Sequence, residues 1–180
     1  MKYRPYIVVA LVLAFCQVAG VHASEVEYLS KSDILDGAAL PGSGLLVSGQ
    51  PDADVLDRLA DKGYVAVIDM RMADEDRGLD EMQEAQARGL KYFNIQTDGR
   101  DGVSFENAAE LDAVLSGIDG PVFLHCRSGN RAAALLALRE NLNGASAEDS
   151  LAFGKQAGLT ALADTVETQL AESSEKAEKN

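Results

Sequence analysis

The stretch His125-Cys126-Arg127-Ser128-Gly129-Asn130-Arg131 concentrates the chemistry available to this chain of 180 residues. It lies between an apolar run at 122–124 and an alanine-rich stretch that begins at Ala132. Successive side chains of a strand point to opposite faces, so His125 and Cys126 are expected to part company, and no Cys–His nucleophile–base pair is expected. Activation of the thiol then falls to other groups. Backbone N–H groups of residues 127–130 converge, Gly129 permits an unusual turn, the next helix brings its N-terminal dipole, and Arg131 adds a full positive charge. Together these favour a thiolate and bind an oxyanion lying over the sulfur. The plainer alternative is a buried structural cysteine beside a coincidental arginine, since free cysteines are commonly buried.

The elements around the loop read as alternating strands and helices. Residues 44–49 form a strand, and the helix after it takes Asp52 as N-cap, Val55, Leu56 and Leu59 as its apolar face and Gly63 as its stop. The pattern continues with a buried strand at 64–71, a helix at 79–89, a strand at 90–96 and a helix at 105–117 capped by Ser104. Pro121 opens the strand leading to Cys126, and three helices follow, at 130–144, from a capping signature at 146–149, and from about 159. Such alternation predicts an α/β fold with a central, mainly parallel sheet flanked by helices, and ligands gather at the carboxyl ends of its strands. Cys126 is predicted there.

Two other places carry candidate groups. Asp98 and Asp101 stand in the loop "TDGRDGV", where either could serve as a general acid, although Asp-Gly is also plain turn chemistry. Arg71, after "VIDM", either braces the site or makes a surface ion pair with the acidic run at 74–76. The acidic runs lack metal-ligand spacing, so no metal and no other cofactor is expected.

Residues 1–23 read as a secretory signal, with Lys2 and Arg4 before an apolar run at 7–19, and cleavage is expected before Ser24. Removal would take the formal charge from −13 to −15 and leave Cys126 and His125 as the remaining residues of their types. A secreted, periplasmic protein with one thiol and a strongly acidic surface is the expectation. Nucleic acid and, after cleavage, membrane are excluded as partners. The expected layout is a lead-in at 24–44, one domain at 45–172 and a polar frayed tail at 173–180.

"HCRSGNR" resembles the anion cradle shared by cysteine-dependent phosphatases and rhodanese-type sulfurtransferases. With "SGQP", "LADKGYVAVIDMR" and "GLKYFNIQ" it resembles the beta-lactamase-hydrolase-like, phosphatase-like family from about Leu45 to Leu142. The resemblance implies a protein-tyrosine-phosphatase-like fold of the dual-specificity kind with a shortened cysteine loop. Phosphatases of that group place five residues between Cys and Arg and a hydroxyl residue after the Arg. Here four residues intervene, and Ala132 follows Arg131.

The tighter loop implies a sulfurtransferase. Cys126 would attack a small anionic sulfur donor such as thiosulfate or a persulfide, and the resulting Cys126 persulfide would pass to a thiol acceptor, cyanide or sulfite. Arg131 would clamp the donor, the amides of Arg127, Ser128, Gly129 and Asn130 would hold the persulfide, and the Arg127 side chain would recruit anions at the rim. Two alternatives stand beside this one. A tyrosine or dual-specificity-type phosphatase would take a phosphoester with Asp98 or Asp101 as acid, and a non-catalytic module would bind an anion or a partner without turnover.

Overall fold

The computed structural model describes residues 25–42 and 44–178. The signal segment expected at 1–23 lies outside the described residues. Within them, β1 (Val26–Tyr28), α1 (Lys31–Leu35), β2 (Leu45–Ser48), α2 (Ala53–Asp61), β3 (Ala66–Asp69), α3 (Glu81–Ala87), β4 (Lys91–Asn94), α4 (Phe105–Ser116), β5 (Val122–His125), α5 (Asn130–Leu142), α6 (Ala147–Gln156) and α7 (Ala163–Glu178) follow one another. The strands form one sheet in the order β1-β2-β5-β3-β4, and every pairing is parallel. The α/β reading with a mainly parallel, helix-flanked sheet is what the chain adopts.

Local chemistry starts each helix where the sequence places it. The side chains of Asp52, Ser104 and Ser146 accept hydrogen bonds from the N–H groups of Val55, Asn107 and Asp149, which satisfies amides that a helix start otherwise leaves open. β1 and α1 were not anticipated within the lead-in. β1 is three residues long with only Val26 buried, too short to show alternation, and α1 buries only Ile34. At the other end α7 continues to Glu178, through most of the segment expected to fray. Its buried Val166 and Leu170 anchor the helix, and Ala, Glu and Lys then propagate it at little cost.

Alternation divides the core in two. Leu45, Val47, Ala66, Ile68, Val122, Leu124 and Cys126 face α4 to α7, whereas Leu46, Val67 and Phe123 face Val55, Leu56, Leu59 and Ala85 of α2 and α3. α5 is buried from Ala132 through Arg139, because it lies between the sheet and the outer helices. The C-terminal row Ser48, His125, Asp69 and Asn94 is in register across β2, β5, β3 and β4, so the loops that follow these residues open on one edge.

The turn from β5 into α5 depends on Gly129. Its φ of 87° lies in the left-handed region, and a Cβ there would come within 2.9 Å of the Tyr28 ring and 3.1 Å of the Ser48 carbonyl oxygen. Strain and contact act together, so Gly129→Ala is expected to cost about 2 kcal/mol, read as a lower urea midpoint with unchanged slope. A wild-type midpoint would show that the turn has room to adjust.

Candidate active site

Cys126 directly follows β5 on the α5 side, is 1% exposed and lines a cleft of about 510 Å³. Arg127, Ser128, Asn130 and Arg131 line the same cleft, as do Met72, Glu75, Asp98, Arg100 and Leu162. Gly129, the N-cap of α5, makes no side-chain cap, so the first-turn amides of the helix remain available to a ligand. The Arg127 carbonyl accepts from the Gln50 N–H at 3.3 Å, which ties the loop to the end of β2.

Arg131 is held by a partner that sequence reasoning missed. Its Nη1 and Nη2 donate to the two carboxylate oxygens of Glu75 at 2.5 and 2.7 Å, and Nη1 also donates to the Thr97 carbonyl at 2.9 Å. Glu75 is fixed in turn by the Met72 N–H at 2.8 Å. This pairing uses the end-on edge of the guanidinium and leaves the edge formed by Nε and Nη2 for a second bidentate ligand. Glu75 pushes the guanidinium further above its ordinary range; burial opposes this, and charge and hydrogen-bond interactions with Cys126 add to it. The Arg131 hydrogen bonds hold the Glu75 carboxyl below the usual carboxylate range, against burial. An acidic loop directly after the strand beside β5 was the available signal for Glu75.

The remaining candidates separate cleanly. Asp98 is exposed and lines the cleft, whereas Asp101 is exposed and is not among the cleft residues. Asn130 contributes its backbone to the start of α5, but its side chain turns away to the segment before α7. Arg71 makes neither the surface ion pair with residues 74–76 nor any lining of the cleft. It is fully buried on the opposite side of the sheet from Cys126, bonded to Asp69 and Glu81.

That buried network lies beneath the cysteine loop. Asp69 accepts from the Arg71 backbone N–H and Nε at 2.9 Å each, from Arg71 Nη2 at 3.1 Å, and from Arg77 Nε and the Tyr92 hydroxyl at 2.9 Å each. Burial raises the Asp69 carboxyl, but the Arg71 hydrogen bonds and the charges of His125 and Arg71 outweigh it and bring it to about 2. His125 stacks on Phe123, its Nε2 is 2.6 Å from Glu81 Oε1 though off the N–H axis, and its Nδ1 reaches the Cys126 carbonyl at 3.4 Å.

Asp69, Glu81 and His125 bring potential ligand atoms within 4.8 Å of one another. A metal fits this cluster poorly. The Arg71 guanidinium already serves both carboxylates, and the 2.6 Å contact is shorter than the roughly 3 Å that separates two atoms ligating one ion at about 2 Å.

The strand order, the cysteine loop at the carboxyl edge and the arginine in the first turn of α5 define a phosphatase-like α/β protein. The sequence signature described as "Beta-lactamase hydrolase-like protein, phosphatase-like domain" spans residues 41–143, and the chain belongs to that family. Beta-lactamase hydrolase-like proteins of Xylella fastidiosa and Agrobacterium fabrum are 32% and 29% identical over 111 and 126 residues, covering 59% and 67% of this chain. The chain spans 26% and 29% of the length of those two relatives. Among solved structures, a candidate phosphatase from Neisseria meningitidis aligns with a TM-score of 0.59 at 18% identity, over 69% of this chain and 92% of that one. The kinase-associated phosphatase, crystallised with serine for its catalytic-site cysteine, aligns at 0.56 and 15% identity, over 74% and 85%. These likenesses show the protein-tyrosine-phosphatase-like fold.

The comparisons overturn the sulfurtransferase expectation, and the anionic sulfur donor and thiol acceptor go with it: the family is described as phosphatase-like. The residue count between Cys126 and Arg131 misled because the loop does not present the arginine alone. Glu75 and the Thr97 carbonyl, from two other loops, hold the Arg131 guanidinium in place.

The depressed carboxyl of Asp69 sets a pH dependence. A group whose folded value lies below its ordinary 3.8 stabilises the fold above that value and loses the contribution as pH falls through about 2. Asp69→Asn should cost about 3 kcal/mol at neutral pH, with the gap to wild type narrowing as urea titrations move from pH 4 toward pH 2. A gap that stays constant with pH would show that the carboxylate charge is not what the network uses.

Proposed function

We propose that the chain is a cysteine-dependent phosphatase that hydrolyses a phosphate monoester through a phosphocysteine intermediate. The observation carrying this reading is that Cys126, Arg131 and Asp98 line one cleft, with Arg131 anchored by Glu75 through Nη1 and Nη2 and with no side-chain cap at the start of α5. A phosphoryl group has three terminal oxygens, which a guanidinium and the backbone N–H groups of an uncapped helix start can bind. The family description, and the catalytic-site cysteine of the kinase-associated phosphatase, support the same assignment.

The chemistry divides into two displacements. The Cys126 thiolate attacks phosphorus, an S–P bond forms, the ester P–O bond breaks, and the leaving oxygen takes a proton from Asp98. Water then attacks the phosphocysteine, its proton goes to the Asp98 carboxylate, inorganic phosphate leaves, and the thiolate is restored. Arg131 and the loop amides hold the equatorial oxygens through both steps, and Glu75 is a positioning residue for Arg131. Ala132 supplies no hydroxyl to assist departure of the thiolate, so the second displacement is the slower one. Export directed by residues 1–23 belongs to the same proposal and rests on the sequence pattern of that segment.

Steady-state hydrolysis of phenyl phosphate tests the assignment. Cys126→Ser should abolish turnover, and Arg131→Lys should lower kcat/KM by about 100-fold or more, because an ammonium cannot reproduce the bidentate contact. Asp98→Asn should lower kcat by about 100-fold on poor leaving groups, while Asp101→Asn stays within a few-fold of wild type. Wild-type protein without measurable hydrolysis of aryl or alkyl phosphates would sink the reading. Equal effects at Asp98 and Asp101 would remove Asp98 as the acid.

A further inference from the structure

The family signature ends at residue 143, yet one wall of the cleft comes from beyond it. Leu162, in the short connection between α6 and α7, is half-buried against the core and reaches the cleft. With Met72 it supplies the large apolar side chains of a lining that is otherwise mostly charged or polar.

This connection and the first turn of α7 are pinned from three sides. The Asn130 side chain donates to Thr160 Oγ1 at 2.7 Å and accepts from the N–H groups of Thr160 and Leu162 at 3.0 and 3.2 Å. Arg100, from the loop that carries Asp98, donates to Thr165 Oγ1 at 2.5 Å. Gly158 has φ of 93°, and a Cβ there would meet the Tyr28 ring at 2.4 Å; the same ring borders Gly129. Asn130 is therefore the mechanical link, since it opens α5 beside Arg131 and fixes the wall with its side chain.

We infer that the segment 158–162 is the specificity wall of the cleft, with Leu162 contacting the substituent carried by the phosphoryl group and Asn130 acting as the positioning residue that holds Leu162 in place. This rests on the phosphoester reading. A phosphoryl group over Cys126 and Arg131 directs its ester oxygen toward the cleft mouth, so an apolar substituent gains contact with Leu162 while inorganic phosphate does not. The wall then sets preference among phosphomonoesters without touching the reacting atoms.

Calorimetric binding to the Cys126→Ser protein, which cannot turn over, separates the two layers of the claim. Phenyl phosphate and inorganic phosphate are titrated in parallel into this parent, and into the same protein carrying Leu162→Ala or Asn130→Ala. The expected result is that each second substitution lowers the ratio of phenyl phosphate to inorganic phosphate affinity by about tenfold. Loss of folding would weaken both ligands together and would not move the ratio in Leu162→Ala, whose side chain is partly exposed. An unchanged ratio in Leu162→Ala overturns the wall. Equal weakening of both ligands in Asn130→Ala, with Leu162→Ala behaving as expected, overturns the positioning role. A parent that binds inorganic phosphate with no preference for the phenyl ester keeps the anion site and rejects the wall. A parent that binds neither ligand takes down the phosphoester reading and this inference with it.

Discussion

The strand alternation at His125 and Cys126 governs the rest of the molecule. One residue apart, these side chains lie on opposite faces of the sheet, the thiol toward α5 and the imidazole toward α2 and α3. The sheet thus separates the layer that lines the cleft from a buried layer of ionisable groups. Above it stand the sulfur, the uncapped helix start and Arg131. Below it stand Asp69, Arg71, Glu81 and His125, all fully or almost fully buried. Burying so many ionisable groups is costly, and the cost is offset only where partners are many and well placed. Asp69 meets that condition with three separate donor residues.

The second organising feature is the division of labour around one guanidinium. Glu75 takes the end-on edge of Arg131, which neutralises part of its charge but also orients it. Without that carboxylate, a long flexible side chain in an acidic protein of net charge −13 would have many surface partners to choose from. With it, the open edge has one direction. The position of the guanidinium is set jointly by α5 and by the loops after β3 and β4, through Arg131, Glu75 and Thr97.

Much of this was legible in the sequence, for physical reasons that differ by element. The central strands showed because both their faces are buried and they read as continuous apolar runs, helices such as α2 and α4 showed because one face of each is apolar, and Asp52, Ser104 and Ser146 showed because helix starts need acceptors. Cys126, Arg131, Asp98 and Asp101 stood out as candidates because their types and loop positions carry chemistry, and the first three line the cleft. β1 and α1 did not show, since so few of their residues are buried that no period emerges. Glu75 and Thr97 did not, because they approach Arg131 from loops 56 and 34 residues away in the chain. Arg71 was read either as a brace for the site or as half of a surface ion pair, because a lone arginine after a strand gives no hint that two buried carboxylates await it. The loop count pointed to sulfur transfer for the same reason: spacing along the chain says nothing about which edge of a side chain a distant carboxylate will occupy.

The central claim is that Cys126 becomes phosphorylated. Rapid mixing of the wild-type protein with excess phenyl phosphate, acid quenching within the first turnover and intact-mass analysis with peptide mapping test it directly. The account predicts one added phosphoryl group on Cys126, formed in a burst and followed by slower release of phosphate. Turnover with no phosphorylated protein at any quench time, or a phosphoryl group on another residue, would contradict it.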